Sequence, residues 1–311
     1  MREALNNVHI EGILNEIDLK DIEYTNRRGE KVKAIAGTIT IKVHQEINGV
    51  KKILEIPVQL FGNQYNRAGN PSPLYTSFRD IKENYVSVAA CGNEDDADRV
   101  VINNGRIQLH SYAGRNGKLI SFPRISANFV NKVPRDRCKE QATFAVEFVV
   151  KQAAMEVNPQ TGEETGRYRM IGVIPGWNDR VDVVPFYAVN EGVIDVVSSY
   201  WTPGDTVRAN GKLDFSVSQE EVTQPVDFGE PVKNIVTRRT SDLIVTGGAQ
   251  APLDGEKSYE AAEINQALAA WKAGQDDILE KSKAKAKAKA ATTVSSDDVS
   301  SSSFLDFGFA N

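Results

Sequence analysis

Cysteine, histidine and long apolar runs are all scarce in this 311-residue sequence, which has two Cys and three His residues. Cys91 and Cys138 are too few and too far apart for a disulfide framework, and no His or Cys flanks them at the spacing of zinc ligands. The apolar runs of the sequence fall far short of the roughly 20 residues that a membrane-spanning helix needs. The first residues also lack the apolar segment of a secretory signal. We therefore expect a reduced, metal-free and cofactor-free protein in the cytoplasm.

The net charge of −5 conceals a difference between segments of the chain. Residues 1–135 carry 19 Lys and Arg against 15 Asp and Glu, a balance of +4. Residues 136–250 carry 11 against 17, a balance of −6, and residues 251–311 carry 7 against 10, a balance of −3. A protein that neutralises phosphates would more readily use the first segment, because only that segment has an excess of cations.

Short alternating or β-branched runs dominate the first 250 residues and predict two successive sets of strands. The first set comprises 8–14, 33–43, 53–61, 85–90, 106–112 and 119–130, and the second comprises 144–151, 167–174, 181–187, 207–213 and 234–246. One helix is predicted in each set, at Tyr75–Glu83 and at Val193–Tyr200. Five or so strands with a helix at that point is the order of an OB-fold. The sequence thus predicts an all-β protein with two tandem OB-like five-stranded barrels.

Four regions are expected along the chain. Residues 1–135 form barrel 1, residues 136–247 form barrel 2, and residues 248–280 form a linker and a helix. That helix is predicted over Lys257–Ala273, with Ile264, Leu268 and Trp271 on one stripe. Residues 281–311 alternate Lys with Ala and are then mostly Ser, Thr and Asp before an acidic, aromatic tip. We predict that this last region is disordered, because it buries too little apolar surface to offset its ordering entropy.

Several segments resemble the bacterial and bacteriophage single-stranded DNA-binding proteins. Asn6–Gly12 (Asn-Asn-Val-His-Ile-Glu-Gly) resembles their first strand, and Ile56–Gly62 resembles their third. Tyr200–Leu213 is similar to their passage from the helix to the fourth strand, where one Gly begins the strand and a Gly-x-Leu ends it. Asn84–Gly92 is a weaker version of that passage in the first half. Ser295–Phe309, with two Asp before several Phe, resembles their disordered tail and its acidic tip.

The resemblance implies a protein that coats and protects single-stranded DNA during replication, recombination or repair, without strong sequence preference. It also implies a tail that recruits partner proteins. The usual family member has one barrel and assembles into an oligomer, and its tail ends in Ile-Pro-Phe. This sequence departs from both features, so its oligomeric state stays open, and a bacteriophage protein in the host cytoplasm fits the departures.

Candidate binding residues follow from the need for cations along the DNA backbone and aromatic faces for the bases. Period-2 alternation selects the side chains that face away from the predicted core. In barrel 1 these candidates, with the hairpin cations, are Lys42, Phe61, Tyr112, Phe122, Arg124, Arg27, Arg28, Lys31, Arg115 and Lys118. In barrel 2 they are Arg167, Arg169 and Trp177. Two alternatives stay open: a strand aromatic is more often core, and a loop cation is more often simply solvated surface.

The tip is the candidate partner-binding segment, since apolar side chains reappear there after a long polar stretch. Its candidate residues are Asp297, Asp298, Phe304, Leu305, Asp306, Phe307 and Phe309. Phe side chains flanked by acids suit a hydrophobic pocket with a basic rim. The alternative for this segment is a terminal strand that folds back onto a barrel.

No catalytic constellation is found in the sequence, and we expect a protein that is not an enzyme. The three His residues have no convincing acid or nucleophile nearby, and no Gly-rich phosphate loop precedes a helix. Two other function classes remain open. One is a protein-interaction or structural module, because OB barrels also bind proteins. The other is a metal-dependent nuclease that uses Glu94, Asp95, Asp96 and Asp98, which more plausibly form a solvated loop.

Overall fold

The computed structural model describes residues 1–26, 28–114, 116–224 and 232–292. Within these residues the strands are β1 (Asn6–Thr25), β2 (Lys31–Ile47), β3 (Val50–Asn63), β4 (Arg99–Ala113), β5 (Leu119–Ser126), β6 (Asn131–Val133), β7 (Gln141–Val157), β8 (Glu164–Pro175), β9 (Val181–Ala188), β10 (Thr206–Asp214), β11 (Val217–Gln224), β12 (Val232–Arg239) and β13 (Asp242–Gly248). The helices are α1 (Pro73–Asn84), α2 (Val88–Cys91), α3 (Glu191–Tyr200) and α4 (Ala261–Thr292). The expected all-β fold with a helix after the barrels is confirmed.

The strands of barrel 1 form a closed ring. β1 pairs with β2, β2 with β3, β3 with β5, and β4 lies between β5 and β1. The β3–β5 pairing is parallel and the other three described registers are antiparallel, with α1 between β3 and β4. This is the strand order of an OB-fold. α1 starts where Pro73 stands in the first turn, a position at which the missing amide hydrogen costs nothing.

The strands of barrel 2 close in the same order. β7 pairs with β8, β8 with β9, β9 in parallel with β13, β13 with β10, and β10 with β7. The expected single strand at 234–246 is wrong, because two strands occupy that stretch: β12 pairs with β11 as an added hairpin, and β13 closes the ring. The Thr240 amide donates to the Ser216 carbonyl at 2.9 Å and so closes the base of the hairpin.

The two barrels share one sheet and one core. β1 pairs with β7 from Asn6 opposite Val146 to Glu11 opposite Gln141. The buried Gln45 side chain extends this junction: its oxygen accepts from the Ala142 amide at 2.7 Å, and its nitrogen donates to the Ala142 carbonyl at 3.3 Å. A single cluster of buried apolar side chains runs through both barrels. The barrels are therefore packed against each other rather than strung on a linker.

The chain divides into two compact units. The larger unit comprises Met1–His110 and Ser121–Trp271 and contains both barrels. The smaller unit comprises Ser111–Ile120 and Lys272–Asn311, of which Arg115 and residues 293–311 are not described. In the larger unit Ile39, Ile41 and Val43 are fully buried, so the odd-numbered residues of this part of β2 form a core row and Lys42 lies on the opposite face, as the alternation predicted.

The strand expected at 85–90 is wrong, because this stretch contains the short helix α2. Gly92 ends the helix with φ of 84° and an amide that donates to the Val88 carbonyl. A left-handed glycine at that position is a common helix terminator. Alternating valines imitated a strand here, whereas the fourth strand of the barrel begins only at Arg99.

Helix α4 packs its first turns on barrel 2. Ile264 and Ala267 are buried, and Leu268 and Trp271 pack against the core, which confirms the expected stripe. The Lys151 ammonium lies 5.9 Å from the centre of the Trp271 ring. No helix among the described residues is long and apolar enough to cross a membrane.

The Lys-Ala stretch continues α4 as far as Thr292, so the disorder expected for residues 281–292 is a wrong prediction. Ala and Lys are strong helix formers, and a helix that has already nucleated extends through them readily. Lys281 also forms an i,i+4 ion pair with Asp277 at 2.6 Å. The compositional argument failed here because it considered the burial of apolar surface and left out helix propensity.

Candidate nucleic-acid interface

The outer face of β3 carries the first part of the candidate interface. Val58 and Leu60 are fully buried, so Gln59 and Phe61 between and beyond them point outward. Phe61 is half-buried, and the centre of its ring lies 6.0 Å from that of Tyr24 on β1. The outward position predicted for Phe61 is therefore correct, and Tyr24 is an aromatic neighbour that the sequence analysis missed.

The outer face of β5 carries the second part. Pro123 and Ile125 are buried, which places Phe122 and Arg124 on the opposite face, as the alternation predicted. Phe122 is 36% exposed. Its ring meets that of His110 on β4 edge to face, with centres 5.4 Å apart. Phe122 is thus outside the core, and its ring face is partly accessible.

Arg124 connects the two strands. Its Nη1 donates to Gln59 Oε1 at 3.5 Å, and Gln59 Nε2 donates to the Gly37 carbonyl at 2.7 Å. The Arg124 Nε is buried and has no hydrogen-bond partner within the described part of the chain. Burial lowers the pKa of Arg124, although the nearby Asp182 opposes this shift. A guanidinium on the outer face of β5 can donate hydrogen bonds to a phosphate oxygen.

His110 and Asp182 surround this guanidinium. Burial lowers the pKa of His110, and repulsion from Arg124 lowers it further. Burial raises the pKa of Asp182, against the opposing effects of the Leu109 amide and Arg124. The Leu109 amide donates to Asp182 Oδ1 at 2.8 Å, which joins β4 of barrel 1 to β9 of barrel 2.

We use the name aromatic strip for Tyr24, Phe61, His110, Phe122 and Arg124. All five lie in the larger unit, on strands β1, β3, β4 and β5 of barrel 1. The strip combines aromatic rings with one cation, the two kinds of group that bind bases and backbone in single-stranded nucleic acid. Strands 2 and 3 provide the usual ligand face of an OB-fold, and Phe61 stands on that face.

Two predicted cations of barrel 1 are already paired with carboxylates. The Lys31 ammonium lies 3.4 Å from Glu23, and the Lys42 ammonium lies 3.1 Å from Glu94. The Lys42 side chain is only 19% exposed. Arg28 is exposed, while Arg27 lies outside the described residues. Among the described ones of these four candidates, Arg28 has an exposed side chain and no ion pair with another described residue.

The candidates Tyr112 and Lys118 belong to the smaller unit. Tyr112 is 43% exposed on β4, and Lys118 is exposed just before β5. Gly117 has φ of 71°, as an Asn-Gly turn requires, and the Lys118 amide donates to Asn116 Oδ1 at 3.1 Å. Arg115 lies outside the described residues.

The candidates in barrel 2 are arranged differently. Arg167 pairs with Glu156 at 3.3 Å and with Asp242 at 2.7 Å, and its guanidinium lies 4.0 Å from the centre of the Tyr187 ring. Arg169 is exposed. Tyr168, the residue before it on β8, packs against the core, so Arg169 faces away from the core. The Arg167 guanidinium is therefore already paired with carboxylates and a ring of the protein itself.

A charge pattern that the sequence analysis missed lies in the segment of chain that contains His110, Phe122 and Arg124. From Arg99 to Arg135 the chain carries seven Lys and Arg residues and no Asp or Glu. Arg106, Lys132 and Arg135 pair with carboxylates from outside this stretch, respectively Glu3, Asp98 and Asp95. Arg124 and Lys118 form no ion pair with a carboxylate within the described residues. Charge counted over each strand, rather than over each barrel, would have found this segment.

The acidic cluster proposed for a nuclease is used in structural contacts. Asp95 pairs with Arg135, and Asp98 pairs with Lys132 at 2.7 Å. Asp98 also accepts from the Val86 amide at 2.7 Å. Among the described residues no group of three or more His, Cys, Asp or Glu side chains is arranged to hold a metal ion.

The partner-binding candidates of the tip lie outside the described residues. They are Asp297, Asp298, Phe304, Leu305, Asp306, Phe307 and Phe309.

Comparison with known proteins gives a family. A family model described as YorF matches residues 4–285. The chain belongs to the YorF family. The search of curated proteins returned no match.

Two solved structures are similar to this YorF-family chain. The wild-type single-stranded DNA-binding protein from Thermus aquaticus is 14% identical, with a TM-score of 0.43, and the match covers 84% of this chain and 99% of that one. A deletion mutant of the same protein gives 14% identity and a TM-score of 0.43, covering 82% and 98%. At this identity and TM-score the likeness carries no inference about what this YorF-family protein binds.

Proposed function

We propose that this protein binds single-stranded DNA across the aromatic strip of barrel 1, without strong sequence preference. One observation carries the proposal: Phe61 and Phe122 stand outside the core on the paired strands β3 and β5, and Arg124, on the same face as Phe122, has a buried Nε with no partner in the described chain. Contact between an aromatic ring and water is unfavourable, and stacking on a base removes part of the ring from water.

The chemistry of the strip favours a single strand over a duplex. An aromatic ring can stack only on a base whose face is open, and bases within a duplex are already stacked on each other. Every base has such a face, so stacking supports binding without sequence preference. Arg124 can then neutralise a phosphate that runs beside the stacked bases.

Barrel 1 is the better site of the two barrels. Its segment has an excess of cations, whereas the segment of barrel 2 has an excess of acids. In barrel 2, the β8 residue Arg167 lies between two carboxylates and a tyrosine ring. A phosphate would have to compete with these internal partners. We infer that the β8 face of barrel 2 makes at most an auxiliary contact.

The wider role follows from the resemblance of the sequence to single-stranded DNA-binding proteins. We propose that the protein coats and protects DNA strands during replication, recombination or repair, in a bacteriophage setting and without catalytic activity. In this proposal the acidic tip, centred on Phe307, recruits replication or repair proteins. Its acids also disfavour contact of the tip with the DNA backbone.

Titration with poly-dT tests the proposal against the alternative of a protein-interaction module. The full chain should bind poly-dT with an affinity that rises with oligomer length and falls with salt, since phosphate contacts release counterions. A duplex of equal length, at the same salt concentrations, is the control and should bind more weakly. Absence of poly-dT binding at low salt by the folded protein would leave the interaction module as the better function.

A further inference from the structure

An exposed tryptophan, Trp177, stands on barrel 2, in the turn between β8 and β9. Trp177 is 73% exposed, more than any other large apolar side chain among the described residues. The turn is closed by the Gly176 amide, which donates to the Arg180 carbonyl at 2.7 Å. Burial contributes little to the position of this indole, so the fold gives no packing reason for a tryptophan there.

The backbone of the turn holds Trp177 outward. Asn178 and Asp179 have φ of 56° and 55°, and two successive non-glycine residues in the left-handed region are uncommon. The Asp179 carboxylate is anchored by the Met1 ammonium at 3.0 Å. Such a conformation costs free energy that the rest of the structure must supply, and it tends to occur where a loop presents a side chain to a ligand.

The indole borders an open concavity of about 420 Å³. Its walls are formed by Met1, Arg2, Glu3, Gly176, Trp177, Asn178 and Asp179. The charges in these walls are largely compensated, because Arg2 pairs with Glu147 and Glu3 pairs with Arg106. A flat aromatic surface beside a hollow whose charged groups are already in ion pairs suits an unpaired base better than it suits a phosphate or a charged peptide.

The Trp177 turn is tied directly to the strand that carries His110. Asp182, at the start of β9, accepts the Leu109 amide at 2.8 Å, and Leu109 precedes His110 on β4. Arg180 stands between Trp177 and Asp182 in the chain, is exposed, and forms no ion pair within the described residues. This hydrogen bond joins the start of β9, two residues after Arg180, to the strand that carries His110 at the junction of the barrels.

We propose that Trp177 stacks on a base of the same DNA strand that crosses the aromatic strip, with Arg180 contacting the phosphate next to it. The inference rests on the proposed function and adds to it a contribution from barrel 2. A bound strand would start on the strip and continue over the junction to the Trp177 turn. Oligomers that fill the strip alone would not reach the indole.

Oligomer length is the variable that tests this inference. Because OB folds bind roughly 4–16 nucleotides each, we would compare dT oligomers of about 5 and about 20 nucleotides by fluorescence anisotropy. Trp177→Ala should weaken the longer oligomer roughly 5- to 150-fold, the range for loss of one stacked base, and leave the shorter one unchanged. Tyr200→Ala, which removes another exposed aromatic of barrel 2, is the matched control and should change neither affinity.

Trp177→Phe supplies an independent readout, since Phe keeps a ring for stacking but removes the indole. The longer oligomer should quench the intrinsic fluorescence of the wild type more than that of Trp177→Phe, while both proteins bind it with similar affinity. Equal binding of the longer oligomer by wild type and Trp177→Ala, with equal quenching in Trp177→Phe, would overturn the inference alone. If the wild type binds neither oligomer, the proposed function fails as well.

Discussion

Phe61 and Phe122 are the residues whose substitution separates a binding surface from a core. Because both rings face outward, Phe61→Ala and Phe122→Ala should each weaken binding of poly-dT by about 1–3 kcal/mol, the value of one stacked base. The free energy of unfolding should change much less than the 3–5 kcal/mol typical of a buried Phe. Phe129→Ala, which removes an exposed ring outside the strip, is the control for binding. Loss of stability with unchanged affinity would place these rings in a structural role.

His110 gives the strip a dependence on pH. Its pKa is lowered by burial and then by Arg124, so the imidazole of the free protein is neutral at pH 7. A bound phosphate would favour the imidazolium, so binding should take up a proton, and affinity should rise as the pH falls from about 8 to about 5.5. His110→Gln should flatten this rise, whereas His44→Gln, whose imidazole contacts Glu140, should not.

The free energy of unfolding must be measured in the same experiment, because it should fall as the pH falls, whereas the affinity for DNA should rise. A His pKa that is lower in the folded state than the ordinary 6.5 means that the unfolded chain takes up the proton more readily. The contribution of His110 to the free energy of unfolding is therefore lost as the pH falls from the ordinary pKa of 6.5 towards the lower pKa of the folded protein. An identical pH dependence of affinity in wild type and His110→Gln would exclude a role for this imidazole.

Individual elements were predicted from the sequence with uneven success, for physical reasons. Period-2 alternation located β2 and the core row at Ile39, Ile41 and Val43, because one face of that strand is wholly buried. It failed at α2, where Val86 and Val88 alternate but the chain forms a single helical turn from Val88 to Cys91. It also merged β12 with β13, since an added hairpin continues the same β-branched composition as the strand that closes the ring.

Helix α4 is an element whose removal should damage the fold. Tyr259 in the segment before it and Ile264 within it are buried against barrel 2, and burying such a side chain contributes about 1.5–3 kcal/mol. Truncation after Gly248 should therefore lower the free energy of unfolding in urea by at least about 3 kcal/mol. Truncation after Thr292 keeps these contacts and is the control. Equal stability of the two truncated proteins would show that the helix contributes nothing to the barrel.

At the scale of the whole molecule, two OB-like rings form one packed body. The sequence predicted two barrels in tandem but contained no sign of the β1–β7 ladder that joins them, because pairing between distant strands leaves no periodic trace. For the same reason it did not bring Tyr24 to Phe61 or Asp182 to Leu109. Alternation along each strand was enough to find the candidate rings. Their neighbours could be found only once the pairing of the strands was known.

The acidic tip, residues 304–311, is predicted to act in recruitment and not in DNA binding. Its deletion should leave poly-dT affinity unchanged or slightly higher, because an acidic segment competes with phosphates for the same cations. Recovery of partner proteins from the native cell extract should be lost at the same time. Replacement of Phe304, Phe307 and Phe309 by Ala, with the acids kept, separates the two effects. Unaltered partner recovery with a lower melting temperature would show instead that the tip belongs to the fold.

The central claim, that single-stranded DNA crosses the aromatic strip of barrel 1, is tested most directly by photocrosslinking. The full chain would be irradiated with a dT oligomer in which single positions carry 5-iodouracil, a base that crosslinks to stacked aromatic side chains, and the attached residues would be mapped by mass spectrometry. The account predicts crosslinks at Phe61 and Phe122 that disappear when unlabelled poly-dT is added in excess. Crosslinks confined to residues outside barrel 1, or none from a protein that binds the oligomer, would contradict it.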